Sequence, residues 1–504
     1  MLVPAVTEKF APAKAGKTAD VLLTLPFIAF FLIQLAHHQL WGDETNAWAL
    51  SAASPNLKTL FDYVHHEGHP ALWYLLLWVP TRFTLDPQIL KLIEAALGSG
   101  IYLMIGLWSP FSRLEKVLLF LNYFISFEYT VLARMYSVSV LVLLIYLYRR
   151  SKYPEQIIWN VALLGLLANT DVLGAILSGS LLVEYAWSEW QKTRWSFPRE
   201  RAAQAFLIYL VLLSFSVWTG LPLKPVSVHS VDPIGTHRFE LWHLSLAIRQ
   251  TILVPWLPIR ADFPSHFWNP VLTGRMIILA PFVIAAYYGV FKRQWNLWIV
   301  IGLTTVVAIL FNHLIYMGRS RHFGITFLAF LVALWMQRYR RSSVPLPGRV
   351  LLSLGAAAGV LAAAAQWQHP FSNTSAAANW LRIHHLENSV LVSAYDSGTA
   401  PIAEQLQRRM YFLDCNCSNS FVLFSPERDS FTEKEIAPRL ANAPDNLKVS
   451  SVLFITPFKL TSDVEEQVRN RGLTLSELAG FTRAEIDQEN VYLYRATKTN
   501  TVAH

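Results

Sequence analysis

Residues 21–45 read VLLTLPFIAFFLIQLAHHQLWGDET, a long apolar run that leads directly into the acidic pair Asp43 and Glu44. A helix that crosses a bilayer needs roughly 20 mostly apolar residues. The stretch therefore predicts a first membrane span that ends in a polar loop. Because no small-residue cleavage site follows the apolar run, we interpret residues 1–20 as a cytoplasmic N-terminus and not as part of a cleaved signal peptide.

The remainder of the chain repeats this apolar pattern. Its 504 residues are 53% hydrophobic and 15% charged, whereas a soluble protein carries about 25% charged residues. Charges are scarce up to the last apolar run and common after it, which indicates two parts in different solvents. We predict a mostly α-helical polytopic membrane protein with about eleven transmembrane helices. The predicted spans are 21–40, 88–109, 116–132, 135–148, 157–170, 172–187, 203–222, 272–291, 296–316, 323–337 and 349–367.

Basic residues are concentrated in short clusters between the apolar runs. A net charge of +8 would favour nucleic-acid binding in a soluble protein. Clusters of this kind follow instead the rule that Lys and Arg stay on the cytoplasmic side, and we expect no nucleic-acid partner. The clusters are Arg113 with Lys116; Arg149, Arg150 and Lys152; Lys192, Arg194, Arg199 and Arg201; Lys292 with Arg293; and Arg338, Arg340, Arg341 and Arg349.

The apolar stretch 70–83 decides whether these clusters share one side. If it crossed the membrane, Arg149 and Arg150 would lie outside. The stretch is short, rich in Trp and Tyr, and begins after Pro70. These features are typical of a helix that lies in the membrane interface. With that assignment all five clusters are cytoplasmic.

The same topology predicts which segments face outward. They are the loops 41–87 and 223–271, the turns around 126–136 and 318–322, and everything after residue 367. These segments hold most of the unusual polar residues. Ionisable groups at a membrane edge are expensive, so they indicate a functional site.

Residues 368–504 form a predicted small α/β domain outside the membrane, beyond the transmembrane part 21–367. Val390–Ser393 and Val452–Ile455 are typical of buried strands, and helical stretches such as 399–408 and 462–472 follow them. No Gly-rich phosphate loop follows either strand. A bridge between Cys415 and Cys417 would close a small, strained ring, so we expect neither a disulfide framework nor a Cys-rich metal site.

The acidic pair Asp43 and Glu44 is the first candidate for chemistry. A positioned carboxylate can take the proton of an acceptor hydroxyl or hold that proton by a hydrogen bond. The alternative is ordinary polarity at a helix end, with Asp43 as an N-cap.

The loop then ends in His65-His66-Glu67-Gly68-His69-Pro70. Carboxylate and imidazole groups at this spacing can ligate a divalent metal cation. The spacing differs from the zinc pattern H-E-x-x-H, whose two His residues share one helical face. The alternative is a hydrated interfacial loop with Pro70 at the first position of a helix.

Two outward turns are basic. Arg134 opens a span after the turn that begins at Glu128, and Arg319, Arg321 and His322 lie between two later spans. An Arg at such an edge can bind a phosphate with two hydrogen bonds. The alternatives are a side chain that snorkels to the membrane surface and binding of lipid headgroups.

Taken in order, these motifs resemble the GT-C glycosyltransferases, most closely the group of protein O-mannosyltransferases and lipid A aminoarabinose transferases. The motifs are Asp-Glu after the first span, Glu-x-His-Pro before an aromatic helix, and Ala-Arg-x-Tyr-Ser at a later span. The resemblance covers roughly residues 21–340. It implies that a sugar moves from a polyprenyl-phosphate carrier to an acceptor on the outer face of the membrane.

The resemblance also implies roles by position. Asp43, with Glu44 beside it, matches the residue that activates or orients the acceptor. Glu67 matches an acidic residue near the carrier phosphate and a metal. Arg134, Tyr136, Arg319, Arg321 and His322 would bind the donor phosphate, and Glu67, His69, His65 and His66 would hold the divalent cation. The chain departs from the pattern at His69, where relatives often have Lys, and at Asn169-Thr170-Asp171, where they show an aromatic-rich turn.

We therefore expect a multi-pass enzyme of a bacterial inner membrane that needs no organic cofactor. Attack by the acceptor in a single displacement would make it an inverting enzyme. The sugar, the carrier length and the acceptor (protein, lipid or glycan) stay open. The main alternative is a transporter or flippase of lipid-linked sugars, but the internal repeats common in transporters are not seen in the sequence. A second alternative is a non-catalytic membrane scaffold with a C-terminal binding module.

Overall fold

A computed structural model provides the three-dimensional description of the chain. It describes residues 17–193, 199–221, 240–259, 267–268, 274–292, 294–316, 318–339, 343–424 and 431–499. Most of the predicted N-terminal segment 1–20 and most of the predicted loop 223–271 lie outside these residues.

The described chain is mostly helical up to residue 368. Its helices are α1 (Lys17–His37), α2 (Gly42–Ala53), α3 (Leu57–Val64), α4 (Leu72–Trp78), α5 (Ile89–Leu103), α6 (Arg113–Phe120), α7 (Tyr136–Lys152), α8 (Ile157–Ala168), α9 (Val172–Thr193), α10 (Arg199–Gly220), α11 (Leu241–Leu253), α12 (Ala280–Phe291), α13 (Trp295–Leu314), α14 (Ser320–Arg338) and α15 (Leu346–Gln368). Two π-helical turns, Met104–Trp108 and Phe124–Glu128, and two 3-10 segments, Pro80–Arg82 and Gly274–Leu279, join them.

Within the described residues, five helices are long and apolar enough to cross a membrane. They are Lys17–His37, Ile89–Trp108, Glu200–Gly220, Trp295–Leu314 and Leu346–Gln368. Other predicted spans are shorter; α8, for example, has 12 residues and is about 18 Å long at 1.5 Å per residue. The structure therefore confirms a helical protein with several apolar spans, and the count of about eleven stays a prediction.

The predicted span 116–132 is not one helix. α6 ends at Phe120, and a separate π-helical turn follows at Phe124–Glu128. The break packs against α15, where a β-carbon at Gly359 would lie 2.0 Å from the Leu121 carbonyl oxygen. Irregular backbone is tolerated at membrane depth where protein covers it. Hydropathy alone cannot distinguish such a buried, broken segment from a lipid-facing helix.

The stretch 70–83 is too short to cross a membrane, as predicted. It forms α4, with seven residues, and a 3-10 turn. Trp73 and Tyr74 are buried, and Trp78 Nε1 donates to the Ser54 carbonyl oxygen at 2.9 Å. The aromatic side chains thus pack the stretch against the end of α2. Its placement in the membrane interface stays a prediction.

Ion pairs and helix directions define two ends of the bundle. At the end where α1 begins, Asp20 pairs with Lys116 at 3.1 Å, and Glu115 pairs with Arg338 at 3.1 Å. Arg349, from the same basic cluster as Arg338, also lies 3.9 Å from Glu115, so members of two of the five basic clusters meet at this end. That the other three clusters share this end stays a prediction. The opposite end, where α1 finishes, contains Asp43 and is called the Asp43 end below. Which side of the membrane each end faces stays a prediction.

The C-terminal part is a small α/β domain, as predicted. It contains α16 (Thr374–Ile383), α17 (Asp396–Gln405), α18 (Glu433–Asn446) and α19 (Ser462–Arg469), with strands β1 (Leu391–Ser393), β2 (Met410–Phe412), β3 (Cys417–Asn419), β4 (Ser451–Thr456), β5 (Leu473–Phe481) and β6 (Val491–Lys498). The sheet order is β3-β2-β1-β4-β6-β5. The central strand β1 is parallel to β2 and β4, and the remaining pairs are antiparallel.

Cys415 and Cys417 form the small ring that the sequence analysis considered. The two residues form a disulfide, and their Cα atoms are 5.2 Å apart, within the usual range for disulfides. Asn416 between them has a φ of 50°. This left-handed turn, which Asn tolerates better than most residues, brings the two side chains to the same side of the chain.

Candidate functional site

Three distant segments meet at Asp43. α1 ends just before it, and it lies in the first turn of α2. Its Oδ2 accepts a hydrogen bond from Arg321 Nη2 at 3.0 Å and lies 3.3 Å from Arg134 Nη1. Arg134 Nη1 also donates to the Asp43 carbonyl oxygen at 2.7 Å. The structure thus brings together three residues that the sequence analysis assigned to one outer site.

Aromatic rings hold the Arg321 guanidinium in place. The group lies 5.5 Å from the ring centre of Trp41 and 5.3 Å from that of Trp268. Such cation–π contacts are strongest where water is excluded. Trp268 is fixed in turn, because its Nε1 donates to Glu128 Oε2 at 2.9 Å.

The two guanidiniums still have hydrogen-bonding capacity. Among the described residues, neither Arg134 Nε nor Arg321 Nε has a hydrogen-bond partner, although both atoms are buried. A buried donor without a partner costs about 1–3 kcal/mol. The two guanidiniums carry two positive charges against the one negative charge of Asp43. The cluster therefore has both the charge and the donors to bind an anion.

Glu67 lies beside this cluster. Tyr74 OH donates to its Oε2 at 3.1 Å, and Asn46 Nδ2 lies 3.4 Å from its Oε1. Burial raises the pKa of Glu67 to about 7, against the smaller opposing effect of Arg134. The carboxyl group can therefore gain or lose a proton near neutral pH.

His69 is neutral at physiological pH. Burial is the main cause that lowers its pKa to about 3, and the positive charges of Arg134 and Arg321 contribute to this lowering. Its Nδ1 is buried without a hydrogen-bond partner in the described part of the chain. A neutral imidazole can bind a metal ion or accept a proton.

The four predicted metal ligands do not converge. His65 contacts α10 instead, with its Nδ1 3.4 Å from the Leu221 carbonyl oxygen and its ring against Trp218. Across the described residues, the group of three ligand atoms that lie within 4.8 Å of one another is Asp396, Asp414 and Cys415. Cys415 belongs to the disulfide. A three-ligand centre in the His65–His69 loop is therefore not formed, and metal binding by Glu67 with His69 stays a prediction.

Glu44 differs sharply from its neighbour. Its side chain is fully buried, whereas that of Asp43 is 35% exposed. Glu44 Oε2 accepts from Trp41 N at 2.9 Å and contacts His38 Nε2 at 3.0 Å, and Oε1 accepts from Ala133 N. All these contacts join α1 and α2 to the segment before α7. Glu44 is therefore held by structural contacts, and its catalytic role stays a prediction.

The remaining predicted phosphate ligands border the cluster. Tyr136 is buried, with its ring 5.2 Å from Tyr129 and 6.5 Å from His322. His322 Nδ1 accepts from Arg319 N at 2.8 Å and thereby caps the first turn of α14. The Arg319 side chain is exposed. Of the basic turn, Arg321 is thus the residue that contacts Asp43.

Asn169, Thr170 and Asp171 have structural contacts. Asp171 Oδ1 accepts from Gly174 N at 2.8 Å, and Thr170 Oγ1 lies 3.1 Å from Ser139 Oγ in α7. Asp171 therefore caps the start of α9.

Sequence reasoning missed the residues that support the cluster from a distance. Glu128 stands in the quoted turn, but nothing in the sequence links it to Trp268. Glu489 of the C-terminal domain accepts a hydrogen bond from Gly42 N at 2.6 Å, although the two residues are 447 positions apart in the sequence. No local pattern signals such a contact.

Comparisons with known proteins find similarity at the level of structure. No protein-family model matches the chain, and no curated protein matches it. The chain is similar to the crystal structure of ArnT from Cupriavidus metallidurans bound to undecaprenyl phosphate, with 12% identity, 95% of this chain and 98% of that chain covered, and a TM-score of 0.49. ArnT is a GT-C lipid A aminoarabinose transferase, the group that the motifs of this chain resemble.

Proposed function

We propose that this chain is a membrane glycosyltransferase that moves a sugar from a polyprenyl-phosphate carrier to an acceptor hydroxyl at the Asp43 end. The proposal is based on one observation: a partly exposed carboxylate lies between two guanidiniums whose buried Nε donors have no partner in the described residues. The reaction needs an acceptor base beside a site for the leaving phosphate.

The chemistry follows from the charges. A donor phosphate competes with Asp43 for Arg134 and Arg321, and binding it frees the Asp43 carboxylate. The acceptor oxygen then bonds to the anomeric carbon while the bond from that carbon to the phosphate oxygen breaks. Asp43 takes the hydroxyl proton, and the electron pair leaves with the phosphate, where the two guanidiniums stabilise the added charge. A single displacement of this kind inverts the anomeric centre.

Glu67 and His69 extend the site toward the donor. A divalent cation held by Glu67 and His69 would stabilise the carrier phosphate, and the neutral state of His69 suits a ligand. No organic cofactor enters this scheme. The Asp43 end faces outward in the proposal, from a bacterial inner membrane, and the acceptor is a protein, a lipid or a glycan.

The rival function, transport of a lipid-linked sugar, leaves the bond to the phosphate intact. Purified protein in proteoliposomes is therefore supplied with a panel of polyprenyl-phosphate-linked sugars and membrane extracts as acceptors. We expect release of free polyprenyl phosphate and a new glycosylated product, both detected by mass spectrometry. Movement of intact donor across the bilayer without bond cleavage would establish the transporter instead.

A further inference from the structure

The C-terminal domain packs directly against the residues that flank Asp43. Glu489 Oε1 accepts from Gly42 N at 2.6 Å. Val422 N donates to Asn46 Oδ1 at 2.8 Å, and Asn46 is the residue whose side-chain amide lies against Glu67. These two contacts reach the same helix, α2, on either side of Asp43.

A third contact reaches the opposite wall of the cluster. Glu485 Oε1 accepts from Trp268 N at 2.7 Å, and the ring of Trp268 lies against the Arg321 guanidinium. The domain therefore contacts both the segment that carries Asp43 and the backbone of Trp268, whose ring lies against Arg321.

Gly42 is packed tightly against the C-terminal domain. A methyl group at Gly42 would lie 2.9 Å from Glu489 Oε1 and 3.3 Å from the Ser397 carbonyl oxygen. A side chain at Gly42 would therefore push against the Glu489 carboxyl group. Glu489 itself is 2% exposed, and its backbone carbonyl oxygen accepts from Asn373 N at 3.2 Å, which ties it to the start of α16.

Gly42 N belongs to the first turn of α2, where backbone N–H groups have no partner within the helix. Trp41, the residue that caps this helix, offers no side-chain oxygen for them. The Glu489 carboxyl group supplies the missing acceptor. Burial is the main cause that raises the pKa of Glu489 to about 8, and the charges of Asp43 and Glu44 contribute to this rise.

We infer that Glu489 is a positioning residue: it holds the first turn of α2, and with it the Asp43 carboxylate, in place between Arg134 and Arg321. The C-terminal domain is thereby part of the active site. The expected effect on turnover rests on the proposed function. The contact between Glu489 and Gly42 does not depend on that function.

Hydrogen exchange of the full-length protein tests the contact itself. In Glu489→Ala, loss of the hydrogen bond should raise amide exchange in residues 41–46 about tenfold, while peptides from α13 stay unchanged. Glu489→Gln keeps an oxygen acceptor for Gly42 N and should preserve protection. The matched control is Glu477→Gln, which removes a carboxylate that pairs with Lys459 at 3.1 Å on β5 of the same domain. Unchanged exchange in Glu489→Ala would overturn the inference.

Kinetics then test the positioning role. Glu489→Ala should lower kcat about tenfold or more, since a misplaced catalytic group slows the chemical step, and KM for the donor should change little. Glu489→Gln should restore most of kcat. A Gln variant as slow as the Ala variant, or a loss that appears in KM alone, would contradict positioning. If the wild-type protein transfers no sugar, the proposed function fails, and the exchange result still decides the Glu489 contact.

Discussion

At the scale of single residues, the site depends on one Arg of a basic pair. Arg321 contacts Asp43 and two Trp rings, whereas Arg319, two positions earlier, has an exposed side chain. Arg321→Ala should lower kcat/KM for the donor by about 10²–10³-fold, as for other residues that stabilise a developing anion. Arg319→Ala is the matched control and should stay within a few-fold of wild type. Equal losses in both variants would mean that the turn binds headgroups non-specifically.

Glu67 gives the protein a pH-dependent stability. Its folded-state pKa of about 7 exceeds the ordinary value of 4.5, so the folded protein binds more protons than the unfolded chain between these values. The stability that this proton supplies is complete below pH 4.5 and is lost as the pH rises to about 7. Melting temperatures in detergent should therefore fall between pH 5 and 8, and they should fall less in Glu67→Gln. A parallel fall in both proteins would contradict the buried carboxyl group, and Glu477→Gln should behave as wild type.

Sequence alone identified Asp43, Arg134 and Arg321 because each stands where an apolar run meets a polar turn. It could not separate Asp43 from Glu44, which are adjacent in sequence and opposite in environment: one is partly exposed, and the other is buried among backbone donors. It also could not find Glu489, because the Gly42 contact depends on tertiary packing and on no local pattern.

At the scale of elements, the broken segment between α6 and α7 depends on a glycine of α15. A β-carbon at Gly359 would lie 2.0 Å from the Leu121 carbonyl oxygen, whereas one at Gly302 in α13 would meet nothing within 4 Å. Gly359→Ala should lower the free energy of unfolding by about 1–3 kcal/mol through overpacking. Gly302→Ala should be neutral or stabilising by up to about 1 kcal/mol, because Ala favours helix.

Thermal denaturation in one detergent compares the two glycine variants. A Gly359→Ala protein that melts at or above the Gly302→Ala temperature would show that the segment is not packed as described. The break between α6 and α7 could not be predicted from the sequence. Hydropathy counts apolar side chains but does not show which of them face protein and which face lipid. It foresaw α1, α13 and α15, which are long, apolar and continuous.

At the scale of the whole molecule, we expect the two ends of the helical bundle to lie on opposite sides of a membrane. Lys192, near the end of α9, and His385, after α16, are both exposed. An impermeant maleimide applied to intact cells should label His385→Cys and spare Lys192→Cys, and both should react after lysis. The native Cys415 and Cys417 form a disulfide and give no background. The reverse pattern would put Asp43 on the cytoplasmic side.

The division into a helical bundle and a C-terminal α/β domain was visible in the sequence, because charge density changes where the solvent changes. The close contact between these two parts could not be predicted from the sequence. Contacts such as Trp268 with Glu485 join residues more than 200 positions apart, and their hydrogen bonds form only after both parts have folded.

In the proposed function, the Asp43 carboxylate takes the proton of the acceptor hydroxyl during sugar transfer. The most direct test is turnover of Asp43→Asn with a polyprenyl-phosphate-linked sugar, alongside expression level and melting temperature. The substitution keeps size and hydrogen-bonding atoms but removes the basic charge. Turnover should fall about 10²–10⁴-fold, as expected for the loss of a general base, while stability stays near wild type because the amide oxygen can still accept the hydrogen bond from Arg321 Nη2. Turnover within a few-fold of wild type in a well-folded variant would contradict the account.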